Sequence, residues 1–476
     1  MADNILVFDE GTTSTRAIVF AADGRELAVC QEELTQYYPQ PGWVEHDAGE
    51  IWAKSLACAR RAIEQVGGVE TIATIGLTNQ RETVVAWDTS TGEPLARAIV
   101  WQDRRTADVC AGLKAAGHEP EVTARTGLLL DPYFSGTKMR WLLDHEDAVA
   151  QAHRAGCLAL GTVESWLTWK LSHGAAFVSD ASNASRTLLL ALDGAQFDPG
   201  LCDLLGVPQT ALPQVVDTHG ALAETDRALF GKAIPICGMA GDQQAATIGT
   251  GAFVLTNKGH DLPRSDNRLL GTVLMQHNGQ RTYAIEGSVF VAGSLIKWLR
   301  DSLGIIGTAA ETEALARSIP DSGGVTVIPA LSGLGAPHWN ATARGVIAGL
   351  SFASGRAEIA RAALEAMAHQ TVDLAAAFAA DGAAWQALKI DGGMSANDWM
   401  AQDLADMLDL AVERPDYVET TALGAAMLAA VGAGIHPSLQ ESAAAMRGGV
   451  RQFSPALDAG VRGARLAAWR KALAAV

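Results

Sequence analysis

Four short stretches of this 476-residue chain place side chains where chemistry could be done. The first is "DEGTTSTR", residues 9–16. An acid ends an apolar run, and a glycine, a run of hydroxyls and an arginine follow. Gly11 lets the backbone approach an anion closely, successive amides form a nest, and Thr12, Thr13 and Ser14 add donors. Asp9 suits magnesium, held directly or through water, because that ion takes oxygen ligands and keeps several waters. Arg16 would neutralise charge developing on a transferred group. The spacing matches neither a Walker loop nor G-x-G-x-x-G, and an ordinary hairpin turn would carry the same letters.

The second stretch, "GLTNQRETVVAW", sets Arg81 and Glu82 between two apolar strands. A solvated corner is the plain reading. The functional one is a donor and acceptor for the vicinal hydroxyls of a polyol, a ligand with no charge to grip. Trp101, at the end of "AIVW", either packs in a core or walls the C–H face of such a ligand. Tyr133 in "DPYFSGTKMRWLL" could add a hydroxyl, while Lys138 and Trp141 are expected to pack structurally.

The third stretch is "ICGMAGDQQAATIGTGAF", residues 236–253. Asp242 closes an apolar strand and opens a helix, so it is either a helix cap or a general base facing a cleft. Seven residues later, Gly249-Thr250-Gly251 reads as a second phosphate turn. The fourth is "IDGGMSAN", residues 390–397, where Gly392 and Gly393 either make a tight turn or let a flat ring or a ribose come close.

The elements that must hold these residues alternate between strand and helix. "ILVF", "RAIVFA" and "ELAVCQEEL" read as strands. Asp47 reads as an N-cap, with Glu50 three residues on, and Gly67-Gly68 ends the helix that follows. The pattern recurs after residue 236, with helices expected near 356–381, 396–409 and 421–433. This implies two α/β halves, 1–238 and 239–476, the first elaborated by a largely helical segment. At 49% apolar residues the chain is globular. Its formal net charge of −17 argues against nucleic acid and anionic membranes. None of the six cysteines falls at metal-ligand spacing, and no leader precedes the first strand, so a reduced cytoplasm is expected. "ALGAAMLAAVGAGI" is too short for a membrane span and is expected to be a buried helix.

Nine motifs in order, "DEGTTSTR", "YYPQPGWVEHD", "TNQRET", "AIVWQDRRT", "DPYFSGTK", "SNASRT", "GMAGDQQAA", "SGLGAPHWN" and "ERPDYVETTALGAA", resemble the FGGY family of carbohydrate kinases over nearly the whole chain. The pairing of "NQRET" with "DPYFSGTK" favours the members that phosphorylate glycerol over those that take sugars. The resemblance implies two ribonuclease-H-like domains flanking an ATP cleft, as in hexokinase and actin. It implies transfer of phosphate from ATP to glycerol with magnesium, Asp242 being the base. Arg81, Glu82, Tyr133, Asp242 and Gln243 would contact glycerol, with Trp101 and Phe253 as apolar walls. Thr12, Thr13, Ser14 and Arg16 would form one phosphate loop, and Thr250 the other. Gly293, Gly393 and Asn397 would face adenosine, near Lys297, which replaces a common glutamine. Glu10 stands where many relatives carry an amide, and adds negative charge near the phosphates. Relatives are commonly dimers or tetramers.

One departure concerns the third stretch. In the family a helix and a full strand separate the base from the second Gly-Thr-Gly turn. Here seven residues do, and these span at most about 24 Å when extended. A strand of five residues covers roughly 17 Å one way. The first strand of the second sheet is therefore expected to be missing or shortened, leaving a neighbour with an open edge. ATP positioning would then suffer more than glycerol binding. A weakly active or inactive polyol-binding relative, and a kinase for another polyol or sugar, stay open as alternatives.

Overall fold

The computed structural model describes residues 3–249, 254–289, 291–417 and 419–476. Ile5, Leu6, Val7 and Phe8 are all apolar, so a strand made of them must be covered on both faces. They lie in β1 (Asn4–Glu10), which joins β2 (Ser14–Phe20), β3 (Glu26–Glu33), β4 (Ile72–Asn79), β5 (His219–Glu224) and β6 (Pro235–Gly241) in one sheet. Its order is β5-β6-β4-β1-β2-β3. β1, β4 and β6 run parallel at the centre, and β2 is antiparallel to β1.

Four helices bear on the site: α1 (Ala48–Gln65), α2 (Ser135–His145), α3 (Asp242–Gly249) and α4 (Thr420–Gly432). Alternate residues of β1 point to opposite faces. Leu6 and Phe8 pack with Cys58, Ala59 and Ala62 of α1. Ile5 and Val7 pack with Ala422, Ala425 and Ala426 of α4. The Asp47 carboxylate caps α1 by accepting from the amides of Gly49 and Glu50, and the left-handed Gly67 and Gly68 follow its end.

The second face of the sheet is thus covered by a helix from the far end of the chain. α4 is buried from Ala422 to Ala430, as its composition requires. It lies against the strands backbone to backbone. A Cβ on Gly238 would sit 2.5 Å from the Ala429 nitrogen, and one on Gly76 2.6 Å from the Ala425 carbonyl oxygen. Among the described residues, no helix is long and apolar enough to cross a membrane.

The second half carries smaller sheets. β7 (Val254–Gly259), β8 (Leu270–His277) and β9 (Gln280–Gly287) are ordered β7-β9-β8. β10 (Leu388–Lys389), β11 (Val412–Pro415) and β12 (Val450–Phe453) form another, in that order. All of Asp242–Gly249 is helix, and a helix rises only about 1.5 Å per residue. The connection is used up as α3. Among the described residues, no strand lies between β6 and β7, and β7 pairs only with β9. The two halves are stitched together. The Thr218 amide donates to Gln276 O, the Gly271 amide to Gly127 O, and the Tyr283 hydroxyl to Leu192 O.

Candidate functional site

Register aligns the ends of the parallel strands. Asp9 pairs with Thr78, Glu10 with Asn79, and Gly241 with Asn79. Gly11, Arg81 and Asp242 therefore leave the sheet at one edge, the carboxyl end, where open α/β sheets bind ligands. Arg81, Glu82, Trp101, Tyr133, Asp242 and Gln243 line a small pocket there of about 30 Å³, with Ser288 and Val289 from the second half. Six of the seven residues expected to contact a polyol are thus brought together. The seventh, Phe253, lies outside the described residues. A larger cavity of about 450 Å³, lined by Arg140, Asp144, His153 and Cys202, gathers no orphaned polar atom.

The Arg81 side chain is buried, and all four of its terminal N–H groups are engaged. Nη1 donates to Glu286 Oε2 at 2.7 Å and to Gln244 Oε1 at 3.1 Å. Nη2 donates to Glu286 Oε1 at 2.9 Å and to the Tyr133 hydroxyl at 3.3 Å. Nε has no hydrogen-bond partner, although it lies 3.4 Å from Asp242 Oδ1 and 3.8 Å from Glu82 Oε1. Gln243 Oε1 is likewise buried without a partner. An orphaned donor and an orphaned acceptor thus belong to one pocket, and each would cost about 1–3 kcal/mol if left unmade.

Glu82 is held in a left-handed conformation, φ 62°, which a non-glycine residue adopts at functional sites under local strain. Two residues of α2 restrain it: Ser135 Oγ and Lys138 Nζ both donate to its carbonyl. Lys138 also donates to the Tyr133 carbonyl, so this buried lysine ties two pocket residues together. Burial lowers the Lys138 amine to about 7. The Trp101 indole N–H donates to Thr12 Oγ1 at 2.8 Å, and its ring meets Tyr133 edge to face at 5.8 Å. The polyol wall is therefore linked to the first phosphate loop.

About a third of the Asp242 side chain (34%) is open to the pocket, while protein surrounds the rest. Burial raises its carboxyl to about 7, against the opposing pull of Arg81. A proton acceptor with this affinity works only above that value. We expect kcat/KM to fall tenfold per pH unit below about 7 and to level off above it. Stability should move the other way. The folded carboxyl binds its proton more tightly than the unfolded one, so its contribution is complete near pH 4 and is lost as pH rises through about 7. Parallel pH series of rate and melting temperature check both signs.

The phosphate side is less uniform. Arg16 Nη2 lies 2.8 Å from Asp9 Oδ2, and Arg16 Nη1 donates to Glu419, the residue before α4. Burial raises the Asp9 carboxyl, with Arg16 opposing. Its Oδ2 makes no aligned hydrogen bond. Asp391 shares this surplus of negative charge. Burial, Glu419 and Asp242 raise it to about 7, and its Oδ2 also has no partner. Among the described residues no three such side chains gather as a metal site, and Asp9, a carboxylate at the end of β1 already paired with Arg16, is the single oxygen ligand at this edge that suits magnesium. Glu10 is a correction. Its Oε1 accepts from Thr15 and Ser55 at 2.7 Å, and burial raises it to about 8. Burial thus favours its neutral form, which places no charge beside the loop.

Thr12 and Thr13 sit at the tip of the loop, closed by Gly11 N donating to Ser14 O, but the Ser14 hydroxyl accepts from Gln31 on β3. Thr250 lies outside the described residues. A Cβ on Gly293 would meet Met394, so that glycine adjoins Gly393. Gly393 is itself exposed, with open space where a side chain would be, and Lys297 is exposed on the helix that begins at Gly293. Asn397 caps a helix, accepting from the Met400 amide, and donates to Thr312.

Sequence reasoning missed Arg186, Glu286, Ser288 and Val289, and read Lys138 as packing alone. Arg186 Nε donates to Glu82 Oε1 at 2.6 Å and its Nη2 to Glu286 Oε1 at 2.9 Å. Two signals were available: Arg186 belongs to "SNASRT", and Glu286 is an acid closing the apolar "TYAI".

Comparison with known proteins gives a consistent result. The model of the FGGY carbohydrate kinase N-terminal domain matches residues 4–249, and that of the C-terminal domain residues 244–433. The chain is 51% identical to a glycerol kinase of Rhodospirillum centenum over 485 aligned positions, covering 98% of this chain and 97% of the relative. It is 49% identical to one from Cereibacter sphaeroides, covering 100% and 99%. Because 485 positions exceed the 476 residues here, the first relative carries residues with no counterpart in this chain. Among solved structures it resembles a Plasmodium falciparum glycerol kinase with ADP, at a TM-score of 0.85, 30% identity, and 99% and 97% coverage.

Proposed function

The chain belongs to the FGGY family of carbohydrate kinases, and from that premise we propose that it transfers the γ-phosphate of ATP to glycerol, giving glycerol 3-phosphate and ADP. The observation that carries the acceptor is the pairing of Arg81 Nε with Gln243 Oε1, an unpartnered donor and acceptor in one small pocket beside Asp242. A short polyol satisfies both at once and brings a hydroxyl to the carboxylate. Trp101 and Val289 offer apolar surface to its carbon chain.

In the proposed mechanism Asp242 takes the proton of the attacking hydroxyl as the new O–P bond forms and the bond from the γ-phosphorus to the leaving oxygen of ADP breaks. Phosphoryl transfer needs positioning and charge neutralisation more than covalent help. Arg81, fixed by four hydrogen bonds, orients the acceptor, and Glu82 accepts from a second hydroxyl. Arg16 exchanges Glu419 for phosphate, and Thr12 and Thr13 donate to it. Magnesium, when bound, offsets the phosphate charge, with Asp9 as the residue to hold it. Gly293, Gly393 and Asn397 form the adenosine side in this reading, and 1–238 and 239–476 are its two working halves. The kinship also supports a cytoplasmic dimer or tetramer, which light scattering on the purified protein tests.

A panel of acceptors tests the function. Glycerol should exceed xylulose and gluconate in kcat/KM by at least a hundredfold. A sugar preferred over glycerol would refute the acceptor.

A further inference from the structure

Glu286 occupies a position that the reaction itself does not explain. It is fully buried at the end of β9, in the second half of the chain, and touches none of the reacting groups proposed above. Both of its oxygens face guanidinium groups from the first half. Arg81 grips it at two points, 2.7 and 2.9 Å, and Arg186 at a third, 2.9 Å. Ser288 Oγ donates to it as well and lines the pocket. Although burial alone would raise this carboxyl, Arg186 and Arg81 hold it down at about 2, which favours the ionised form.

We infer that Glu286 is a positioning residue for the acceptor pocket: from the second half it locks the Arg81 fork, so that Nε–H alone is left to face the acceptor and Asp242. This rests on the function proposed above. Asp242, Arg81, Glu286, Arg186 and Glu82 form a chain of alternating charge in which each guanidinium bridges two carboxylates. Arg81 makes its short, paired contacts with Glu286 and reaches Asp242 only at 3.4 Å. The carboxylate with the better geometry takes most of the charge-assisted hydrogen bonding. Asp242 therefore keeps its affinity for a proton, and the acceptor meets a fixed N–H. Because Glu286 and Arg81 lie 205 residues apart, on opposite halves, the pocket is complete only when those halves are docked.

Other charges face the two carboxylates. Asp242 is faced by Arg81 and Glu82, by Asp9 at the end of β1, and by Asp391 after β10. Glu286 is faced by Arg81, Arg186, Ser288 and the Tyr133 ring that Arg81 also touches. Removing the negative charge of Glu286 leaves Arg81 free to turn toward Asp242, 3.4 Å from its Nε, with Glu82 at 3.8 Å as the other carboxylate in reach. The acid limb of the rate profile must then move to lower pH.

The test is Glu286→Gln in the full-length protein, assayed for glycerol and ATP across pH 5–9. The expected result is a glycerol KM at least tenfold higher, an ATP KM within twofold of wild type, and an acid limb displaced downward by half a pH unit or more. A merely structural loss would reduce the active fraction without moving the limb. Glu286→Gln leaves two buried arginines sharing one carboxylate fewer, so the double variant E286Q/R186M, which removes an ion pair as a unit, provides the second test if the single one fails to fold. It should show the same rise in glycerol KM. A folded variant with unchanged glycerol KM and an unmoved limb overturns the inference. Wild-type protein that turns over ATP without preferring glycerol would instead overturn the function on which it rests.

Discussion

Asp242→Asn is expected to lower kcat by about 10²- to 10⁴-fold, the range that a positioned general base contributes. Glycerol affinity should stay within a few-fold, because asparagine keeps the shape of the side chain and an oxygen at the pocket, while Arg81, Glu82, Trp101 and Tyr133 are untouched. The loss would therefore sit in kcat rather than KM, as for an interaction made only in the transition state. The pH dependence expected of the wild type below about 7 should also be lost in so far as it comes from Asp242. Calorimetry with glycerol and steady-state rates over pH separate these effects. Turnover within tenfold of wild type would remove Asp242 from the role of base.

Gly238→Val is expected to be a strongly damaging change far from the pocket. The added Cβ would lie 2.5 Å from the Ala429 nitrogen and 2.9 Å from the Leu428 carbonyl carbon, both backbone atoms of α4 that cannot swing aside. Overpacking of this kind costs about 3 kcal/mol. For a chain of this size that corresponds to a fall in melting temperature on the order of 3 °C. The effect should reach the site as well. Displacing α4 moves Glu419 relative to Arg16, and α3, which carries Gln243, packs along the same helix. Gly112→Ala is the control. Nothing lies within 4 Å of its Cβ position, and alanine in a helix is worth roughly 0.5–1 kcal/mol over glycine. Equal melting temperatures for the two variants would show that α4 does not seat on the strands as described.

What could be read from the sequence was what depends on near neighbours. "ILVF" announces a strand covered on both faces, and Asp47 with Glu50 announces a helix start, because those features are set within a few residues. Asp242 stood out because an acid after an apolar run has no core to enter. The short reach from Asp242 to Gly249 could be read as a limit of length, and α3 takes up that length. What could not be read depends on contacts between distant segments. Arg186 and Glu286 are an ordinary arginine and an ordinary glutamate until the fold sets them 2.9 Å apart, across 100 residues. Lys138 was expected to pack structurally, but only the fold shows that its Nζ is turned inward to two carbonyls of the pocket. Glu10 looked like added charge, and only the fold buries it so that the neutral form is favoured, against the pull of the Thr15 and Ser55 hydroxyls. Asn397, expected to face adenosine, also caps a helix, a second task that the sequence alone does not show.

The central claim is that one small pocket beside Asp242 accepts glycerol for phosphorylation. It is tested most directly by measuring ADP release from magnesium and ATP with and without glycerol, alongside the glycerol 3-phosphate formed. The account predicts that release is slow without glycerol, rises at least a hundredfold with it, and yields one glycerol 3-phosphate for each ADP. Release that is indifferent to glycerol, or that yields free phosphate in its place, would contradict it.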